Sequence, residues 1–247
     1  MTQATAQAPS VDGATFDYVI CGAGSAGCVL AARLSEDPNV SVLLLEAGHG
    51  DTSGMVETPL RTIEIWHSDY DWQYETTPQT HAAGRRIYWP RGKVLGGSSA
   101  MNGMIYVRGV RQDYDGWAMA GCHGWDWDSL RPFFLMSEDF DGGADEHHAT
   151  GGPLHVTTDH DRHPLHPALI NAAGQAGIPF NPDYNGDAPD GISYIQFNTR
   201  CDVAVNCKNA AVFAKCSILT INCYVTTSAL VTVLVDCLGR MAVLTST

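Results

Sequence analysis

Positive charge is scarce in this chain. It carries 14 Lys and Arg against 27 Asp and Glu, a net charge of −13. That balance excludes a nucleic-acid surface, which needs a basic field. It also means that any anionic ligand must be held by local N–H groups and a few cations. No secretory leader is expected either, because residues 1–14 are small and polar, with no basic segment and no apolar one. They read as a disordered leader. No uninterrupted apolar run reaches membrane-spanning length. The most apolar stretch, Ser217 to Val235, is broken by Thr220, Asn222, Thr226, Thr227, Ser228 and Thr232 and reads as strands. A cytoplasmic location is the default expectation. No C-x-x-C occurs among the 8 cysteines. Cys21 and Cys28 read as small buried hydrophobes, Cys122 stands apart, and Cys201, Cys207, Cys216, Cys223 and Cys237 are irregularly spaced. The spacing argues against zinc, the missing leader argues against a disulfide framework, and no metal site is expected.

What the chain does have is glycine in two ordered places. The first is an apolar strand, Tyr18 to Cys21, that runs into Gly22-Ala23-Gly24-Ser25-Ala26-Gly27. A helix follows from about Ser25 to Glu36, with Cys28, Val29, Leu30, Ala32 and Leu34 facing the sheet. A second strand, about Ser41 to Leu45, ends in Glu46. Strand, G-x-G-x-x-G, helix, strand and acid in that order form the fingerprint of a dinucleotide-binding βαβ unit. Gly22 permits the tight turn, Gly24 lets the backbone approach a pyrophosphate, and Gly27 lets helix pack on strand. The phosphates would meet a helix N-terminus, where unpaired N–H groups and the dipole favour negative charge. Glu46 lies about 20 residues after the last glycine, the distance at which an acid accepts hydrogen bonds from a ribose. The fingerprint by itself suits NAD and FAD equally.

The second place is Gly92-Lys93-Val94-Leu95-Gly96-Gly97-Ser98-Ser99-Ala100-Met101-Asn102-Gly103-Met104-Ile105. Such a loop offers many backbone N–H donors to an anion or a polar ring. Val94, Leu95, Met101, Met104, Ile105 and Tyr106 make it too apolar for a solvated linker, so burial is expected. Between the two places, residues 47–90 have little periodicity and read as a long excursion with short helices near Pro59 to Trp66. Long irregular stretches in compact domains are usually functional, and this one would lie over the cofactor. Beyond the second loop, residues 113–140 read as helices, with Asp126 or Asp128 as a cap. Pro153 to Thr157 reads as a short strand, and His166 to Ala176 as a helix.

These two segments together make the chain resemble the glucose–methanol–choline oxidoreductases, flavoenzymes that oxidise alcohols. The matching residues are the fingerprint with Leu44-Leu45-Glu46-Ala47-Gly48, and the loop from Gly92 to Asn102 with Tyr106, Gly109 and Asp115 following. Asp71-Trp72-Gln73-Tyr74, Asp113 to Ala118 and Gly152-Pro153-Leu154 match more weakly. The branch resembled is the choline-dehydrogenase-like one. The resemblance implies an α/β fold: a Rossmann-like FAD-binding domain with the beginning of an α+β substrate-binding domain. The expected divisions are a leader over 1–15, the FAD-binding domain over 16–150, the start of the substrate domain over 151–200, and a divergent tail over 201–247 that returns to the FAD-binding domain. It further implies that Gly22, Ala23, Gly24, Ser25, Ala26 and Gly27 hold the FAD pyrophosphate, with Glu46 at the ribose and Ala47 beside it. Val94, Gly97, Asn102, Gly103, Met104 and Ile105 would contact the flavin side, largely through backbone atoms, and Val231 in a strand over Ser228 to Asp236 would touch adenine. No histidine lies between Gly92 and Gly109, so the FAD is expected to be non-covalent. The implied partner is a small-molecule alcohol, with hydride passing to flavin N5. Nothing in the sequence specifies the oligomeric state.

The chain also departs from the family. The family's catalytic histidine and its histidine or asparagine partner lie near the end of a considerably longer chain. None of the 10 histidines here stands in a matching context, so no catalytic residue is assigned, and His147, His148 and the others read as surface or loop residues. After Arg200, cysteines replace the expected charged, proline and glycine residues, although Asn209 to Ala214 can still be a helix. The chain therefore reads as the truncated or decayed N-terminal part of such an enzyme. Two alternatives stand beside that reading. One is a non-catalytic remnant that retains the fold, and the other is a nicotinamide-dependent dehydrogenase, which the second glycine loop disfavours.

Overall fold

The computed structural model describes residues 13–50, 54–56, 58, 61–160, 162–201, 207–209, 223–226, 231–235 and 241–245. Along the chain these form β1 (Tyr18–Cys21), α1 (Ser25–Leu34), β2 (Val42–Leu45), α2 (Thr62–Ile65), β3 (Tyr74–Glu75), β4 (Tyr88–Trp89), α3 (Arg111–Met119), α4 (Trp127–Ser137), β5 (Glu138–Phe140), β6 (Leu154–Val156), α5 (His166–Gln175), β7 (Thr199–Cys201), β8 (Cys207–Asn209), β9 (Cys223–Thr226), β10 (Val231–Val235) and β11 (Met241–Thr245). Two compact units emerge, one from residues 1–103 with 211–247 and one from residues 104–210. The division falls at Gly103, not near residue 150. The reason is local pairing: β5, at the end of α4, pairs parallel with β6, Glu138↔Leu154 to Phe140↔Val156, and so joins α3 and α4 to the chain beyond residue 150.

In the first unit, β1 and β2 pair parallel, Tyr18↔Val42 to Cys21↔Leu45, and β9 adds parallel to the other side of β2, Val42↔Cys223 to Leu45↔Thr226. The order β1-β2-β9 puts β2 in the centre. That explains its unbroken Val-Leu-Leu-Leu run, since a strand covered on both faces has no polar side; all four residues are buried. Helix α1 turns Gly27, Cys28 and Ala31 inward. Ala23, Cys28, Ala31, Val42 and Leu44 form one buried cluster. The inward stripe is one of small residues, so α1 lies close to the strands, whereas Val29 and Leu30 are exposed, contrary to expectation. Cys21 is likewise exposed, at the end of β1, while Cys28 is buried.

The excursion after β2 is organised by one buried carboxylate. Asp71 accepts the N–H groups of His67 at 3.1 Å, Gln73 at 3.0 Å and Arg91 at 3.0 Å, and the Tyr88 hydroxyl. These bonds hold its pKa below the usual carboxylate range against the opposing effect of burial. Ile65, Tyr70, Val94, Ala100 and Met101 form the second buried cluster. Thus Val94, Ala100 and Met101 anchor the second glycine loop in this cluster.

In the second unit, Tyr114 on α3 packs against Trp117, Trp127 and Phe134. Asp126, not Asp128, caps α4: its Oδ1 accepts the Ser129 N–H at 3.0 Å, while Asp128 forms a two-pronged pair with Arg111. Asp126→Ala is expected to lower stability by about 1 kcal/mol, the usual worth of an N-cap, read as a shift in the urea midpoint; no shift would show that the cap contributes nothing. Asn209, expected at the start of a helix, lies instead in β8, which pairs antiparallel with β7; residues 210–214 lie outside the described residues. In the first unit, Val231 opens β10, which pairs with β11, and residues 228–230 and 236 of the expected strand lie outside the described residues. Among the described residues no helix is long and apolar enough to cross a membrane.

Candidate FAD-binding site

The first unit brings its two glycine segments together backbone to backbone. The Gly96 N–H donates to the Ala23 carbonyl at 2.8 Å, and the Leu95 N–H to the His49 carbonyl at 3.3 Å. Three glycines leave no room for a side chain. A Cβ on Gly27 would lie 1.9 Å from the Gly22 oxygen, on Gly48 2.1 Å from the Lys93 carbonyl, and on Gly92 2.2 Å from the Gly97 oxygen. Gly97 adopts φ +54°, and a Cβ there would lie 2.8 Å from Gly24 Cα. Gly22 turns the chain out of β1 with φ +95°.

Gly24 is different. Among the described residues a Cβ on it would meet only Gly97 Cα, at 3.9 Å, and none of them requires glycine there. Gly24 is also the N-cap of α1, where no side chain caps the helix and no acid stands in the first turn. The N-terminus of α1 therefore presents its N–H groups and the positive end of its dipole without a side-chain cap or an acid in its own first turn. Such a cradle fits a pyrophosphate.

Glu46 stands beside the cradle and is 8% exposed. The Ala23 N–H donates to its Oε2 at 2.7 Å and the Gly48 N–H to its Oε1 at 2.9 Å. Gly22 to Gly27, Glu46, Val94 and Gly97 are thus assembled in one unit. Val94 is buried and bridges to His49. Ala47, Asn102 and Gly103 are exposed, and Met104 is buried with φ +58°. Ile105 is 53% exposed, so the expected burial of the second loop stops before it. Gly48 received no role from the sequence, although it belongs to the Glu46-Ala47-Gly48 run; its tightness comes from a partner segment more than forty residues away, which spacing does not reveal.

The model of the GMC oxidoreductase family matches residues 16–228. The chain belongs to the GMC oxidoreductase family. Mouse mitochondrial choline dehydrogenase is 43% identical over 188 residues, 73% of this chain and 32% of the mouse protein. A Pseudomonas putida alcohol dehydrogenase (acceptor) is 43% identical over 185 residues, 73% of this chain and 33% of that protein. Among solved structures, pyridoxine 4-oxidase from Mesorbium loti superposes with a TM-score of 0.76 at 37% identity, covering 85% of this chain and 42% of that one. An FAD-dependent oxidoreductase from Chaetomium thermophilum superposes with a TM-score of 0.77 at 28% identity, covering 90% and 40%. The GMC fold seen here is α/β and Rossmann-like, and the cofactor indicated by the family and these neighbours is FAD. The chain spans about a third of the length of the curated relatives it matches.

The second unit of this GMC chain holds a buried polar network that the sequence did not announce. His148, read as a surface or loop residue, lies in a loop but is 3% exposed. Its Nδ1 lies 3.1 Å from Glu138 Oε1 and its Nε2 3.0 Å from Asp183 Oδ2. Arg108 donates to Glu138 Oε1 at 2.7 Å and to the His147 carbonyl at 2.6 Å. Gln196 donates to Asp183 Oδ1 at 2.8 Å, and Asn185 to Gln196 at 2.7 Å. Burial opposes a charge on His148, but the bonds and charges of Asp183 and Glu138 outweigh it and raise its pKa to about 9. Glu138 and Asp183 are correspondingly held below their ordinary values. His147, by contrast, is only partly buried, and with exposed Glu146 and Asp187 it gathers three metal-ligating atoms within 4.8 Å of one another. Asp187 is distant in sequence, which is why local spacing gave no sign of this cluster.

Proposed function

We propose that this chain forms the FAD-holding part of a flavoenzyme that oxidises the CH–OH group of a small alcohol to a carbonyl. The observation that carries the reading is the open, uncapped N-terminus of α1 at Gly24, walled by the second glycine loop. When bound, FAD supplies the acceptor for the hydride that leaves the alcohol carbon. Gly22 to Gly27 cradle the pyrophosphate, which meets the N–H groups at the α1 end of the run because those of Gly22 and Ala23 are held by the Leu45 carbonyl and Glu46; Glu46 accepts ribose hydroxyls, and Ala47 packs beside them. Val94, Gly97, Asn102, Gly103, Met104 and Ile105 orient the flavin side, and Val231 touches adenine. The absence of histidine from Gly92 to Gly109 makes the attachment non-covalent. We assign no base to the residues in this chain, and the alcohol is unspecified by them.

Purified chain is expected to show flavin absorption and to release all of it on acid denaturation. A colourless chain that takes up no added FAD contradicts the proposal; flavin that stays with the denatured protein contradicts non-covalent attachment. Gly24→Val is the sharper test. A Cβ fits beside Gly24, so the variant should fold, with its melting temperature lowered only by the poorer N-cap that Val makes, about 1 kcal/mol. FAD affinity should fall about 100-fold or more, roughly 2.7 kcal/mol, because the side chain occupies the pyrophosphate approach. Unchanged FAD affinity would remove Gly24 from the site.

A further inference from the structure

Glu46 is buried, and among the described residues it forms no ion pair. Among the described residues its carboxylate is held by two backbone N–H groups from different segments, Ala23 in the first glycine loop and Gly48 after β2. A carboxylate taken out of water needs such compensation, and charge-assisted N–H bonds supply it. The same segments hold the second glycine loop: the Ala23 carbonyl accepts from Gly96, and His49, next to Gly48, accepts from Leu95. Backbone contact at Gly48 and Gly97 leaves no slack in this arrangement.

We infer that Glu46 is a positioning residue that fastens the first glycine loop to the turn after β2, the two segments on which the second glycine loop rests, and so finishes the cradle before any ligand arrives. One oxygen serves each N–H, so a lone pair on each oxygen remains for a hydroxyl donor, and positioning does not exclude ligand binding. That the ligand is a dinucleotide rests on the function proposed above; the bridge does not. Glu46→Gln separates the two ideas. The amide keeps the size of the side chain, but in either orientation its NH2 faces a backbone N–H, so one of the two bonds is lost.

The test is amide hydrogen exchange on the full flavin-free chain, with the thermal midpoint and an FAD titration measured alongside. In the wild type the Ala23 and Gly48 amides should be protected. In Glu46→Gln at least one of them should exchange about tenfold or more faster, and the flavin-free midpoint should fall by roughly 3–8 °C. Wild-type amides that exchange freely without flavin would overturn the inference, and this arm needs no variant to fold. It is also overturned if Glu46→Gln loses FAD affinity while exchange and midpoint stay unchanged, which would make Glu46 a ligand contact only. A wild type that binds no FAD but protects both amides would sink the proposed function and leave the bridge standing.

Discussion

Glu138→Ala is expected to destabilise the chain by about 3–5 kcal/mol, the cost of breaking a buried ion pair from one side. Glu138 is 0% exposed, and its carboxylate serves three donors: Arg108, His148 and the Ala149 N–H. Removing it leaves the Arg108 guanidinium inside the unit, with the Tyr106 hydroxyl at 3.3 Å and the His147 carbonyl as its remaining partners. Burial pushes the Tyr106 phenol up to about 12, so it stays neutral and cannot replace the lost charge. Urea unfolding followed by circular dichroism measures the effect; a loss under about 1 kcal/mol would mean that water replaces the carboxylate and that the site is not closed. His148 adds a pH signature. Its folded pKa is raised to about 9, so its contribution is complete below its unfolded pKa, about 6.5, and is lost as pH rises through 9. Glu138 and Asp183 are lowered, so their contribution is present above their unfolded values and is lost as pH falls. Between about pH 6.5 and 9 the stability should decline by up to roughly 1.4 kcal/mol per pH unit. His148→Gln should flatten that slope; an equal slope in both proteins would assign it to other groups.

The two units differ in how far they can be read from residues alone. The βαβ unit was legible because each part leaves a local mark: an apolar run for β1 and β2, glycines at the turn, and an acid at the end of β2. The second glycine loop was legible for the same reason, since glycines among apolar residues signal close backbone contact. The Arg108–Glu138–His148–Asp183 network left no such mark. Its members lie 10 to 35 residues apart, and a buried polar residue with satisfied bonds looks, in sequence, like a solvated one. Ile105 shows the converse, an apolar residue in an apolar run that is exposed. The inward stripe of α1 falls between the two cases. Periodicity located the helix, but the choice of Cys28 and Ala31 over Val29 and Leu30 depends on how closely α1 approaches the strands, and that closeness is set at Gly27.

Gly27→Ala is accordingly expected to destabilise the first unit, although intrinsic propensity argues the other way. Alanine is better than glycine inside a helix by about 1 kcal/mol, and Gly27 lies within α1. Against that gain stands a methyl group 1.9 Å from the Gly22 oxygen and 3.1 Å from the Gly22 carbonyl carbon. Both are backbone atoms of the turn out of β1, so no side-chain rotation relieves the contact. Either α1 moves off the sheet or the turn opens. Overpacking of this kind costs about 1–3 kcal/mol in a well-packed core, and a rigid backbone obstacle puts Gly27 at or above the top of that range. The net loss should be about 2 kcal/mol, a fall of roughly 4–8 °C in melting temperature for a chain of this size. The FAD cradle should fail with it, because the displaced turn carries Ala23 and Gly24. Gly24→Ala is the control, three positions away and with room for the methyl group, and should lose no more than the roughly 0.5–1 kcal/mol of a poorer N-cap. If Gly27→Ala melts at or above the wild-type temperature, helix propensity outweighs the contact and the close packing of α1 on β1 is not what requires glycine at this position.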